Sequence, residues 1–177
     1  KIEGEVAKSA VIEGDVIIEK GAKVLHHAVV KGPAYIGRNV VIGDHSLVRE
    51  SMIEEGAVIG FGSEVVRSLI GPNSKIHHCF LGDSVIGEAC SLGFGTVAAN
   101  KKLNRSNIKA SVKGNKIDTK RSALGCIVGD KARTGVNVSL MPGAILGKES
   151  FVGPGTVFKG VLDDKKMAYV KQEVVVK

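Results

Sequence analysis

Tryptophan is absent from this 177-residue chain, aromatic residues make up only 4% of it, and cysteines number three. A chain so poor in rings is expected to fill a narrow core with aliphatic and small side chains. Cys79, Cys90 and Cys126 are odd in number and lack Cys-x-x-Cys spacing, which argues against a disulfide framework and against a zinc finger. A reducing, cytoplasmic setting is the expectation. No apolar run approaches the roughly 20 residues that cross a bilayer as a helix, so no membrane partner is expected. Lys1-Ile2-Glu3-Gly4 opens directly on repeat-like sequence, without a secretory signal or an initiator methionine, and suggests a piece cut from a longer protein.

What the chain has in abundance is period. Ile12, Ile18, Val24, Val30, Ile36, Ile42 and Val48 fall six residues apart, and the beat resumes at Val128, Thr134, Leu140, Leu146, Val152 and Phe158. Six residues fit neither the 3.6-residue stripe of a helix nor the alternation of one half-buried strand. They fit hexapeptide repeats that wind a parallel β-helix. Glycine or an acid follows many of the aliphatics (Gly37, Gly43, Gly60, Gly147, Gly153), and glycine suits a corner that needs backbone angles forbidden to other residues. From Val48 to Leu92 the step mixes five with six, which predicts tightened corners within the same fold. The expected layout is first coils over 1–97, an insertion over 98–127, last coils over 128–160 and a tail over 161–177 with a strand between Met167 and Val176.

The insertion carries the charge. Lys101, Lys102, Arg105, Lys109, Lys113, Lys116, Lys120 and Arg121 stand against the single acid Asp118, and this excess equals the net charge of +7 of the whole chain. Gly114-Asn115 between short alternating runs predicts a hairpin over Val112–Ile117. Such a loop is either a solvated excursion or a surface for phosphates or an acidic partner. Nucleic acid is not expected, because no aromatic residue lies among these bases to stack on a nucleobase.

Beside the insertion stand His77-His78-Cys79-Phe80-Leu81-Gly82-Asp83, then Leu92-Gly93-Phe94-Gly95-Thr96 and Asn100. This stretch resembles the acetyltransferase half of bifunctional N-acetylglucosamine-1-phosphate uridylyltransferases, with His-x-x-Tyr-Leu-Gly-Asp followed by Gly-Ala-Gly-Thr and Cys-Asn-Tyr-Asp-Gly. Lys109–Gly125, Gly135-Val136-Asn137-Val138-Ser139 and Pro142-Gly143 are similar to the archaeal type of these enzymes. The resemblance implies a left-handed parallel β-helix and a homotrimer. It also implies a preceding nucleotidylyltransferase domain, and N-acetyl transfer from acetyl-CoA to an amino-sugar 1-phosphate.

By the same resemblance His77 is the base, with His78 as a rival because the five-residue step from Ile76 to Leu81 can be placed on either side of it. Imidazole is the side chain suited to take a proton near neutral pH. Asn100 would orient the amine or the acetyl carbonyl. Arg49, Phe80 and Lys109 fall to the sugar phosphate, and Phe94, Lys101, Lys102, Val136 and Pro154 to acetyl-CoA. No metal is implied. The chain departs from the pattern at Phe80 (a tyrosine in the family), Phe94 (an alanine), Lys101 (a tyrosine) and Ser106 (a lysine). These departures suit a second reading, a non-catalytic oligomerisation or regulatory β-helix like those of GDP-mannose and ADP-glucose pyrophosphorylases. A third, a γ-carbonic-anhydrase-like metal site using His45 with His77 or His78, lacks that family's His-x-x-x-x-His pair.

Overall fold

The computed structural model describes residues 1–173, 175 and 176, and in it the chain winds as a parallel β-helix. Each coil gives one short strand to each of three sheets. The first sheet has nine strands from Glu5–Val6 to Met167–Ala168, and the second eight from Val11–Glu13 to Val157–Phe158. The third sheet has eight, from Val16–Ile18 to Val161–Leu162. No helix among the described residues is long and apolar enough to cross a membrane. Aliphatics of the six-residue beat line the interior, with Ile18, Ile36, Ile42, Ile53, Ile59 and Ile70 all at 0% exposure. Thr134, the one polar residue on the beat, pairs its hydroxyl with Thr96 Oγ1 at 2.8 Å and accepts from Gly93 N–H at 3.1 Å, so its burial leaves no orphan.

The five-residue steps are tightened corners, as expected. Bonds between neighbouring coils join residues 18 apart at His26–Asp44, 17 apart at Ser51–Ser68 and 16 apart at Ser68–Ser84. At the corner between the second and third sheets, Glu50, Arg67 and Asp83 adopt left-handed φ of 51°, 48° and 50°. A serine follows each, and its hydroxyl closes the turn on the carbonyl two residues back: Ser51 on Arg49, Ser68 on Val66, Ser84 on Gly82. The same hydroxyls accept an N–H from the next coil, Ser51 from Ser68, Ser68 from Ser84 and Ser84 from Cys126. A buried ladder of hydroxyls therefore replaces the missing residue.

The three cysteines are rungs of such ladders. Cys79 N–H reaches Ser63 Oγ at 3.1 Å and Cys90 N–H reaches Ser74 Oγ at 2.9 Å. Burial pushes the Cys79 thiol up to about 11 and the Cys126 thiol up to about 12, and raises that of Cys90. Thiols held protonated in this way are not nucleophiles.

The glycines after the inward aliphatics serve a different purpose from the one expected. None of Gly37, Gly43, Gly60, Gly147 and Gly153 has positive φ; the left-handed corners are held largely by residues such as His27, Asn39, His45, Asn73 and Asn137. A Cβ on Gly43 would lie 2.8 Å from both Ile59 O and Phe61 N of the next coil. Glycine is there for clearance between backbones.

The insertion is slightly narrower than expected: it leaves after the strand Val97–Ala98 and rejoins at Cys126–Val128. Its neck is closed by Leu124 N–H on Asn100 O and Gly125 N–H on Asp83 O, both 2.9 Å. The hairpin pairs Lys109–Val112 with Asn115–Asp118, so its turn is Lys113-Gly114, with φ of 48° and 81°, and not Gly114-Asn115. Two positive φ values match the right-handed twist of the strands. Buried Ile108 anchors the hairpin against the corner at Gly143. The tail also differs, because Val161–Leu162 and Met167–Ala168 complete a further coil; of the strand expected over 167–176 only these last two residues pair, and Val174 lies outside the described residues.

Ser68→Ala removes a buried acceptor and leaves Ser84 N–H without a partner, which should cost about 1–3 kcal/mol in urea unfolding. Ser68→Cys should lose less, because the chain already uses cysteine in this position of the ladder. Equal losses would show that the ladder bond contributes nothing.

Candidate active site

The two candidate histidines follow the strand Lys75–Ile76, at the corner between the first and second sheets. His77 is exposed, and its ring has no hydrogen-bond partner among the described residues. His78 has φ 47° and its Nδ1 stands 3.0 Å from Phe61 O. A carbonyl only accepts, so Nδ1 carries a proton, and Nε2 has no hydrogen-bond partner among the described residues. The ring stacks on Phe94 at 4.8 Å and 8°, and on Phe61 at 6.2 Å and 13°. The column continues through His45 to His27, whose rings stack at 5.0 Å. In the other direction Asn137 N–H bonds Phe94 O and Gly155 N–H bonds Val136 O. The structure thus brings His77, His78, Phe94, Val136 and Pro154 onto one corner.

Asn100 is on the other side of the second sheet. Its Nδ2 donates to Asp83 Oδ2, and the same carboxylate takes Arg67 Nε and Nη2 at 2.7 and 2.9 Å. The strand Phe80–Gly82 separates this cluster from His77 and His78. Phe80 lies on the outer face of that strand in register with Glu64 and Val97, and its ring leans towards Gly82. Arg49 sits two coils earlier on the same sheet and pairs with Glu50 at 3.2 Å. Lys102 is engaged by the Asn107 carbonyl, while Lys101 is exposed beside Asp83 and Lys109 is exposed at the start of the hairpin. Among the described residues no group of three His, Cys, Asp or Glu side chains is arranged to hold a metal ion.

Arg67 and Asp83 were not singled out from the sequence. The signal was their separation of one local coil, legible only once that coil is known to be 16 residues long. Burial works to raise the Asp83 carboxyl, but hydrogen bonds from Arg67 and Asn100, with the positive charges of Arg67 and Lys101, outweigh it and hold the group below the usual carboxylate range. An open groove of about 890 Å³ runs along the third sheet beside this corner. Its floor includes Ile17, Tyr35, Met52, Leu69 and Val85, and its rim Glu50, Arg67, Asp83 and Arg121.

Residues 12–117 match the family described as the GMPPB C-terminal domain. The chain belongs to that family. The match takes in the histidine corner and the Arg67–Asp83–Asn100 cluster, whereas Val136 and Pro154 lie beyond it. As a member of the GMPPB C-terminal domain family it is also 34% identical over 178 residues to the bifunctional protein GlmU of Methanococcus vannielii, covering 100% of this chain and 43% of GlmU. The chain thus spans less than half the length of that relative. It is 30% identical over 158 residues to the uncharacterized acetyltransferase YaiX of Escherichia coli O6:K15:H31, covering 86% of this chain and 69% of YaiX. The fold is shared with an Arabidopsis UDP-N-acetylglucosamine acyltransferase, at a TM-score of 0.64 and 16% identity, covering 95% and 70% of the two chains.

Because the folded Asp83 carboxyl sits below its unfolded value of about 4, its pairing stabilises the protein above that pH and the stabilisation is lost as pH falls through the lower folded value. Asp83→Asn should therefore be less stable than wild type near neutrality, with the gap closing as the pH falls below the usual carboxylate range. A gap that does not change with pH in thermal unfolding would contradict this.

Proposed function

We propose that this chain transfers an acetyl group from acetyl-CoA to the amine of an amino-sugar 1-phosphate, as the C-terminal part of a longer enzyme whose other half is a nucleotidylyltransferase. The observation that carries the reading is similarity along the whole chain to 43% of GlmU from Methanococcus vannielii, combined with candidate bases before the strand Phe80–Gly82 and a carboxamide bonded to Asp83 just after it. The base takes the proton as the amine attacks the thioester carbonyl, and the thiol of CoA leaves. The motif aligns His77 with the family base, whereas the bond from Nδ1 to Phe61 O, which orients the His78 ring and leaves Nε2 without a partner among the described residues, favours the neighbour. Arg49, Lys109 and the unpaired bases of the loop supply positive charge for the sugar phosphate and for the phosphates of CoA. Incubation with acetyl-CoA and glucosamine 1-phosphate or galactosamine 1-phosphate, followed by thiol release, tests this. Alanine at the true base should lower kcat by about a hundredfold or more, and alanine at the other histidine far less. Thiol release as slow in wild type as in both variants would sink the reading.

The assembly that goes with it is a homotrimer with clefts between subunits. Its support is the outward column Ile17, Tyr35, Met52, Leu69, Val85 and Ile127, which stacks in register on the third sheet. Met52 and Val85 are 43% and 45% exposed in the single chain. An apolar ribbon of this length on one sheet face is suited to a partner copy. Met52→Glu should convert the trimer to monomers by light scattering at micromolar concentration. A wild type that is itself monomeric would refute the assembly.

A second reading, a non-catalytic oligomerisation β-helix, is favoured by one observation: His78 is a rung in the same column as His27 and His45. Thermal shift with acetyl-CoA separates the two, since a ligand at 100 times its dissociation constant adds about 2.7 kcal/mol.

A further inference from the structure

Asp83 sits at a shortened corner with its polar groups engaged. Its N–H donates to Val66 O and its carbonyl accepts from Gly125 N–H, both at 2.9 Å. Its carboxylate receives the Arg67 guanidinium on both oxygens and Asn100 Nδ2 on Oδ2. The hydrogen bonds and positive charges that hold its carboxyl below the usual range keep it an anion, and an anionic carboxylate only accepts. The edge of the Asn100 carboxamide turned towards it is therefore the NH₂. The carboxamide oxygen faces away, and no donor from the described residues reaches it.

Gly82 makes the room for this. A Cβ there would lie 2.6 Å from Asn100 Nδ2 and 3.1 Å from Phe80 Cζ, so the amide and the edge of the ring share the space over one glycine. Backbone strain is not the reason, because Gly82 has no positive φ. The neck of the insertion fixes the main chain as well, through Leu124 N–H on Asn100 O.

We propose that Asp83, braced by Arg67, is a positioning residue that locks the Asn100 carboxamide with its oxygen outward, making this corner a subsite for an N–H or O–H donor of the ligand. The inference rests on the amino-sugar reading above and deepens it. Asn100 accepts from the sugar amine or the group at the same carbon, and it does not act as a donor to a developing oxyanion. An amine that donates one hydrogen to Asn100 keeps its lone pair for the thioester.

Two measurements on the full chain test this. Selective ¹⁵N-asparagine labelling should show an Asn100 side-chain amide exchanging at least about tenfold more slowly in wild type than in Asp83→Asn or Gly82→Ala; the latter leaves the Arg67–Asp83 pair in place. In calorimetry, wild type should prefer glucosamine 1-phosphate to 2-deoxyglucose 1-phosphate by about tenfold or more, and the preference should vanish in both variants. The exchanged pair Asp83→Asn/Asn100→Asp should recover it, since an NH₂ at 83 then faces a carboxylate at 100 that still turns an oxygen outward. A purely structural role for Asp83 predicts no such recovery. Equal affinity of wild type for the two sugars overturns the inference, and so does an Asn100 amide that exchanges alike in wild type and Asp83→Asn. Failure to bind either sugar overturns the amino-sugar reading, and amide exchange then decides the clamp alone.

Discussion

Consecutive coils lie in register, one strand spacing of about 4.8 Å apart, around a prism that takes one inward aliphatic per strand. Under that constraint each residue has a neighbour in the same position one coil above and one below. Ile42, Ile59 and Ile76 stack directly, and so do the backbones outside them. The glycines at 43 and 60 follow from this, because a methyl group at either would strike the next coil. The serine and cysteine rungs follow too: when a corner loses a residue, a side-chain oxygen must take up the stranded N–H of the coil above.

The same stacking turns functional side chains into columns and clamps. Rings at the first corner make a column from His27 to Phe94, stacked except where His45 meets Phe61 edge-on, and within it His78 is a structural rung whose Nδ1 is engaged by Phe61 O. At the second corner Arg67 and Asp83 are successive rungs, and Asn100 is the residue at which the chain leaves the coils. The insertion therefore departs from a point already braced by an ion pair. The outward column on the third sheet is the floor of the groove that reaches Asp83 and Arg121, so a copy packed there would cover that floor.

Much of the fold was legible because period is a one-dimensional property. The aliphatic beat and the tightened corners stand where the sequence placed them, and the basic insertion leaves after Ala98 and rejoins at Cys126. The misreadings share a cause. A glycine that recurs after an aliphatic can serve conformation or clearance, and only its φ and the next coil tell which. The hairpin turn shifted by one residue because Lys113 accepts a left-handed φ that the sequence suggested for Asn115. The last strands lie outside the six-residue beat because the step from Phe158 to Leu162 is four residues, so period alone did not mark them as part of the coils.

For the site, the spacing of His77 and Asn100 was legible as a motif, yet a separation along the chain says nothing about which corner a residue reaches. Residue types and their period by themselves determined a β-helix with an aliphatic interior and all surplus charge in one excursion. Only the tertiary structure decided that the histidines and Asn100 occupy opposite edges of the second sheet, on neighbouring coils. It also decided which nitrogen of His78 meets Phe61 O and that the Asn100 amide meets Asp83. Those outcomes depend on partners one coil away, and the coil length that selects the partners changes from 18 to 16 residues along the molecule.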